Sequence, residues 1–150
     1  MKKITKITSL LLVTILLLAA CGKKYESKTY KFEKNGASVQ IEVMYDGDKV
    51  VKQKTHNVLK YANAGLLDKE DAKSKIDPIS KQYNEVKGIK HRVKYDDKYL
   101  VEEIETDFDK LDMEKARALP GFYLDDQAKG GVSFKQTEEA LKQSGFVEVK

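Results

Sequence analysis

The stretch YKFEKNGASVQIEVMYDGDKVV, Tyr30 to Val51, decides the fold. Tyr30 and Phe32 alternate with polar residues up to Asn35-Gly36, a dipeptide suited to a two-residue hairpin turn because both positions tolerate positive φ. Pairing Lys34 with Ala37 across that turn sets Phe32 opposite Val39 and Tyr30 opposite Ile41. The alternation continues through Val43 and Tyr45 to Asp46-Gly47-Asp48, a second turn. A three-residue loop there places Glu42 opposite Lys52 and Val43 opposite Val51, a register that satisfies both faces. The expectation is a three-stranded meander with one oily face.

Downstream, Asp68-Lys69-Glu70-Asp71 supplies a helix N-cap and an acidic first turn. Ala72, Ile76, Ile79, Tyr83 and Val86 then recur at helical spacing. Pro78 either kinks this helix or starts a second one capped by Asp77; the unbroken stripe favours the kink. After Gly88, Ile89 to Tyr95 and Lys98 to Phe108 read as a second hairpin turning at Asp96-Asp97, with Ile89 facing Ile104 and Val93 facing Leu100. A short, helix-compatible piece ends at Leu119-Pro120-Gly121. Ser133 and Gln136 open another helix with a capping box, and Gly145 stops it. Val147 to Val149 close a last strand. The order is βββ-α-ββ-α-β, an α+β domain with two main helices on a mostly antiparallel sheet.

The front of the chain has a different character. Lys2, Lys3 and Lys6 precede an apolar run from Leu10 to Ala20 that only Thr14 interrupts. A membrane-spanning helix needs about 20 apolar residues, so the run is too short to span. A basic start, a short oily segment and small residues at its end make a secretory signal peptide. Leu18-Ala19-Ala20-Cys21 resembles the bacterial lipobox, in which the cysteine thiol takes a diacylglyceryl group and cleavage leaves it as the new N-terminus. Two acyl chains of about fifteen CH₂ groups each bind a bilayer with at most ~24 kcal/mol. The expected layout is a signal peptide over 1–20, a lipidated Cys21 with a short tether over 21–28, and one domain over 29–150. Cys21 is the chain's one cysteine, so no disulfide remains to staple that domain.

Charge follows the same boundary. The 28 basic residues lose Lys2, Lys3 and Lys6 on cleavage, leaving 25 against 24 acidic ones and a formal +1. Nothing here supplies the counterion release on which nucleic-acid binding rests.

The lipobox, the run NVLKYANAGLLDKEDAKSKIDPISKQYNEVKGIKHRVKYDDKYLVEEIETDFDKLD (Asn57 to Asp112), LPG at Leu119 to Gly121 and ALKQSGFVEV from Ala140 resemble the YehR-like family of small bacterial lipoproteins. The resemblance covers nearly the whole chain, including element order. It implies an extracytoplasmic α+β domain tethered by lipid, with no established activity. Only Cys21 carries over from it as a functional residue. The expected location is the extracytoplasmic face of the cell membrane, or an outer membrane in a host that has one.

Candidate chemistry is sparse. His91 falls on the side of Ile89 and Val93 with Glu102 opposite, a pair that could serve as half a metal site or as a base with its orienting partner. A zinc site needs three or four protein ligands, and no third presents itself, so the plainer reading is a polar pair at the wet margin of the sheet. His56, beside Lys52 and Lys54, reads as solvated. Asp107, Asp109, Asp112 and Glu114 lack the glycine and spacing of a calcium loop. Lys129-Gly130-Gly131 precedes a helix without a phosphate-loop pattern. Tyr30, Tyr45, Tyr83, Tyr95 and Tyr99 either line a cleft or cap the core. The residues imply no cofactor and no catalytic set. The leading expectation is a non-catalytic interaction module at the envelope, acting on a protein or wall polymer. The competing one is a small-ligand binder with an apolar pocket between the sheet and the helix from Ala72 to Val86. An enzyme using His91 and Glu102 stands third. A filled core with an exposed apolar patch favours the first, a deep pocket the second.

Overall fold

A computed structural model describes residues 24–122 and 131–149. The expected signal peptide, the lipobox-like stretch with Cys21, and Lys129-Gly130 lie outside the described residues. Strands β1 (Glu26–Lys34), β2 (Ala37–Asp46) and β3 (Lys49–Lys60) are followed by a 3-10 turn (Tyr61–Asn63) and helix α1 (Lys69–Asn84). Then come β4 (Ile89–Tyr95), β5 (Tyr99–Asp107), α2 (Met113–Arg117), α3 (Phe134–Gln143) and β6 (Val147–Val149). The strands form one six-stranded sheet in the order β4-β5-β3-β2-β1-β6, every neighbouring pair antiparallel. The short α2 is added to the expected order, and β1 begins at Glu26, within the span 21–28 expected to be tether.

The first hairpin has the expected register, Lys34 with Ala37, Phe32 with Val39 and Tyr30 with Ile41. Asn35 (φ 50°) and Gly36 (φ 76°) both take the positive φ that this tight turn needs.

The second hairpin departs from expectation. Asp46 pairs with Lys49, so the turn is the two residues Gly47-Asp48, and an irregularity follows between Met44 and Tyr45. Tyr45 pairs with Val50 and Met44 with Lys52, leaving Val51 as the extra residue, so Glu42 faces Lys54 and Val43 faces Gln53. A remote partner explains the change. Asp48 accepts hydrogen bonds from Ser133 Oγ (2.9 Å) and the Lys135 amide (2.8 Å), and its carbonyl takes the Phe134 amide (2.7 Å). The turn is thus built to hold the start of α3. The extra residue also buries both Val50 and Val51, which regular alternation would not do.

The β4–β5 hairpin also slips by two residues from the expected register. Asp96 caps the turn by donating its amide to the Tyr99 carbonyl (2.9 Å), so Tyr95 pairs with Leu100 and Ile89 with Thr106. A slip of two keeps every side chain on its expected face.

Asp68 caps α1 through the Asp71 amide (2.8 Å), and the helix runs unbroken through Pro78. Ser133 caps α3 through the Gln136 amide (3.2 Å). Helices α1, α2 and α3 pack on one face of the sheet. Ala72 and Ile76 of α1 lie with Tyr61, Leu66, Leu100 and Val93. Tyr83 and Val86 meet Ile89, Ala116 and Leu119. On the far side, Phe134 of α3 stacks on Tyr45 at 3.7 Å between ring centroids, over Tyr30, Ile41, Val43 and Val50. The core is therefore divided between the two ends of the sheet, and among the described residues no helix covers the ground between α1 and α3.

Candidate functional site

That ground is the inward face of β3. Cross-strand pairing puts Gln53, Thr55 and Asn57 on the same side as Val43, Ile41 and Val39 of β2 and as Thr106, Ile104 and Glu102 of β5. The expected single oily face is thus oily on β2 but polar on the central strand. The result is a cleft of about 690 Å³. Its floor is β2, β3 and β5; one wall is Tyr83 with Gly121 and Phe122, the other α3 through Gln136, Thr137, Ala140 and Leu141. None of the described residues lining it is charged, in a chain that is 35% charged. The space expected under α1 is filled by Ala72 and Ile76. The cleft lies beside it, with Tyr83 alone of the five expected tyrosines on its wall. Tyr30 and Tyr45 are core residues, and Tyr99 is exposed.

His91 and Glu102 do meet, with Nε2 2.7 Å from Oε1. They are diagonal neighbours: His91 pairs with Ile104 and Glu102 with Val93. The expected wet margin is corrected for the histidine. Its side chain is 1% exposed, against 25% for Glu102, and Tyr83 covers it at 5.0 Å between ring centroids. Asn84, at the end of α1, fixes the strand there by accepting from the His91 amide (2.8 Å) and donating to its carbonyl (2.9 Å). Glu102 Oε2 accepts from Asn57 Nδ2 at 2.6 Å. Burial pushes the Glu102 carboxyl up, but the hydrogen bonds from His91 and Asn57 outweigh it and hold it below the ordinary carboxylate value.

Among the described residues, two buried side-chain atoms have no hydrogen-bond partner, His91 Nδ1 and Asn57 Oδ1. A carboxylate accepts only, so Glu102 compels His91 to present N–H at Nε2 and Asn57 to present its NH₂. Asn57, which lines the cleft, is thereby left with a free acceptor. Among the described residues no group of three or more His, Cys, Asp or Glu side chains is placed to hold a metal ion. His56 is on the outer face, exposed, 3.7 Å from Glu103. The acidic run divides among structural tasks: Asp109 pairs with Lys49 (2.5 Å), Asp107 with Lys110 (3.0 Å), and Asp112 caps α2.

A family model described as a protein of unknown function (DUF1307) matches residues 26–147, from the first residue of β1 into β6. The chain belongs to this family. DUF1307 relatives align end to end. The uncharacterized lipoprotein Lin0239 of Listeria innocua is 36% identical over 100% of this chain and 99% of its own length. The uncharacterized lipoprotein YehR of Escherichia coli is 35% identical over 100% of both. The NMR structure of YehR superposes with a TM-score of 0.73, covering 86% of this chain and 94% of that one at 34% identity. An NMR structure of a protein from Streptococcus pneumoniae TIGR4 shares the fold at 15% identity, with a TM-score of 0.59 over 99% of each chain.

The polar floor was missed in the sequence, although a signal stood there. Lys52 to Asn57 holds no apolar residue, which is unusual for a strand with neighbours on both sides.

Proposed function

We propose that this DUF1307 protein is a lipid-anchored, extracytoplasmic binding protein, and that its cleft holds a ligand without transforming it. The single observation that carries the binding part is the cleft itself, whose volume falls within the roughly 300–1,000 Å³ of small-molecule sites. Its central floor is polar where packing alone calls for apolar side chains, and Asn57, one of the lining residues, carries a buried acceptor that no described residue meets. Leaving such an atom unpaired costs about 1–3 kcal/mol, a cost that a bound donor removes. The His91-Glu102 pair fits no direct reaction on a ligand, because neither residue lines the cleft.

Two things support the anchor: the lipobox ending at Cys21, and relatives that are themselves named lipoproteins. No helix among the described residues is long and apolar enough to cross a membrane. Glu26, the start of β1, comes five residues after Cys21, a reach of at most about 18 Å. The tether therefore holds the Gly47-Asp48 end of the sheet near the lipid surface.

The test of the cleft is a fragment screen by ligand-observed NMR on the bilayer-anchored protein and on Ala140→Trp, which fills the cleft from an exposed helix position. Fragments that bind the first and not the second support the proposal. Fragments that bind both alike, or none at all, sink it. For the anchor, Cys21→Ala must abolish metabolic acyl labelling; persistent label rules the attachment out.

A further inference from the structure

We infer that the cleft takes a neutral saccharide chain, with Asn57 accepting from a sugar hydroxyl and with Glu102 and His91 as the positioning residues that fix its amide. This rests on the cleft being a binding site, and it names the ligand.

Charge decides the class first. No described residue lining the cleft is ionisable at neutral pH. A charged ligand would therefore find no counter-charge among these residues, and its desolvation there would cost several kcal/mol. Hydrogen-bonding capacity decides next. Gln53, Thr55, Asn57 and Thr106 on the floor face Gln136 and Thr137 on the wall. Amides and hydroxyls both donate and accept, which matches the mixed demands of sugar hydroxyls. Gln53 donates to Thr55 (3.3 Å), Thr137 to the Ser133 carbonyl (2.7 Å) and Asn57 to Glu102 (2.6 Å), and a purely aliphatic ligand would leave their remaining capacity unmet. An extended peptide is poorly served for a different reason. Peptides add to sheets at free edges, while the floor here is mid-sheet, where backbone groups are already paired. Apolar faces complete the match. Phe108 and Phe122, both partly exposed, line the same cleft and suit the C–H face of a pyranose ring.

Shape argues for a chain rather than a single ring. The cleft is lined from Ser133 at one end of α3 to Ser144 at the other, a run of about 16 Å at 1.5 Å per residue.

Asn57 explains why a His-carboxylate pair sits behind an uncharged site. An asparagine amide can flip, exchanging donor for acceptor. Glu102 Oε2 at 2.6 Å admits only the NH₂ group, and His91 at 2.7 Å holds Glu102 in place. The amide oxygen is thus committed as an acceptor before any ligand arrives.

The test uses the full lipidated chain in lipid nanodiscs, with saturation-transfer NMR and calorimetry. The probes are the neutral tetrasaccharides of N-acetylglucosamine and of glucose, the cationic glucosamine tetramer, an anionic galacturonate tetramer, and hexanol. At least one neutral tetrasaccharide should bind, and the charged pair should bind at least tenfold more weakly. Ala140→Trp should abolish that binding, and Thr55→Val should weaken it about three- to tenfold. Glu102→Leu, which frees the Asn57 amide, should lose about tenfold; Glu102→Gln, which keeps an acceptor there, should recover to within threefold. If only a charged sugar or hexanol binds, and Ala140→Trp blocks it, the saccharide assignment is overturned and the cleft stands. If no probe binds, both are overturned. A saccharide that binds Ala140→Trp and Thr55→Val as well as the parent is seated elsewhere, which also overturns the inference.

Discussion

Gly88 joins the end of α1 to the start of β4, and its replacement by alanine tests how the cleft's supports are locked together. Its φ is +92°, and a Cβ built there would stand 2.6 Å from Leu111 Cα, 2.7 Å from Leu111 N and 3.0 Å from the Asp107 carbonyl. All three are backbone atoms, so no side-chain rotation relieves the overlap. The positive φ alone costs an alanine about 1–2 kcal/mol. Forcing the backbone of the β5–α2 connection away adds about 1–3 kcal/mol, the usual range for overpacking. Two hydrogen bonds cross the same junction, Asp107 N to Gly88 O (2.8 Å) and Asp112 N to Lys87 O (3.0 Å), and weakening them adds about 1 kcal/mol. Gly88→Ala should therefore lose about 3–6 kcal/mol, a large share of the roughly 5–15 kcal/mol that holds a domain folded. Gly65 is the control: its φ is +67°, and a methyl group placed on it would meet no described atom within 4 Å, so Gly65→Ala should bear the backbone cost alone. Urea unfolding of both, in a Cys21→Ala background and followed by circular dichroism, separates the two. If Gly88→Ala unfolds within about 1 kcal/mol of Gly65→Ala, the junction is not the tight lock described.

Other expectations follow from the same contacts. Tyr30 is fully buried and donates to Glu138 Oε1 at 2.7 Å; Tyr30→Phe should cost about 1.5–2 kcal/mol in urea unfolding, and a neutral result would mean that this bond does not pin α3. Hydrogen bonds from Lys28, Tyr30 and Lys142 lower the Glu138 carboxyl from its ordinary 4.5 to about 2. A carboxyl depressed in the folded state adds stability above its unfolded value and loses it as pH falls through the folded one. The urea midpoint should thus drop between about pH 4.5 and 2, with Glu102 contributing in the same direction, and Glu138→Gln should flatten part of that slope; an unchanged slope counts against the triple bond. Long-range proton–nitrogen NMR should find N–H at Nε2 of His91, and a neutral ring protonated at Nδ1 instead would overturn the Glu102 pairing. Thr55→Val should leave the fold as stable as the parent or firmer by about 0.5 kcal/mol while weakening saccharide binding, whereas a clear loss of stability would make the hydroxyl structural.

Much of this architecture was legible because it is local. Asn35-Gly36, the Asp68 and Ser133 caps and the apolar stripe of α1 each depend on neighbours within a few residues, and each appears where the sequence places it. What failed depends on distant partners. The Gly47-Asp48 turn is chosen by the start of α3, more than eighty residues later in the chain. Lysine stands at both 52 and 54, so charge pairing with Glu42 fits either register and cannot choose between them. The His91-Glu102 contact survived a wrong register because a two-residue slip preserves the face, and a glutamate side chain reaches diagonally across the missing pair. Its depth could not be read in advance, since the covering ring, Tyr83, comes from α1.

The polar central strand is the point at which fold and function meet. A sheet that served only to support three helices would close them over Val or Ile at positions 53, 55 and 57, each side chain worth about 1.5–3 kcal/mol once so covered. Instead the chain divides its core between α1 with α2 on one side and α3 on the other, leaving those three positions outside the described core clusters and only partly buried. It then commits a buried histidine and a glutamate to orienting one of them. Residues that forgo stability where stability is easily gained are expected to serve binding. On that argument the site is set by β3, while the opposite sheet face carries charged side chains cross-paired as in Arg92 with Glu103 and Glu105.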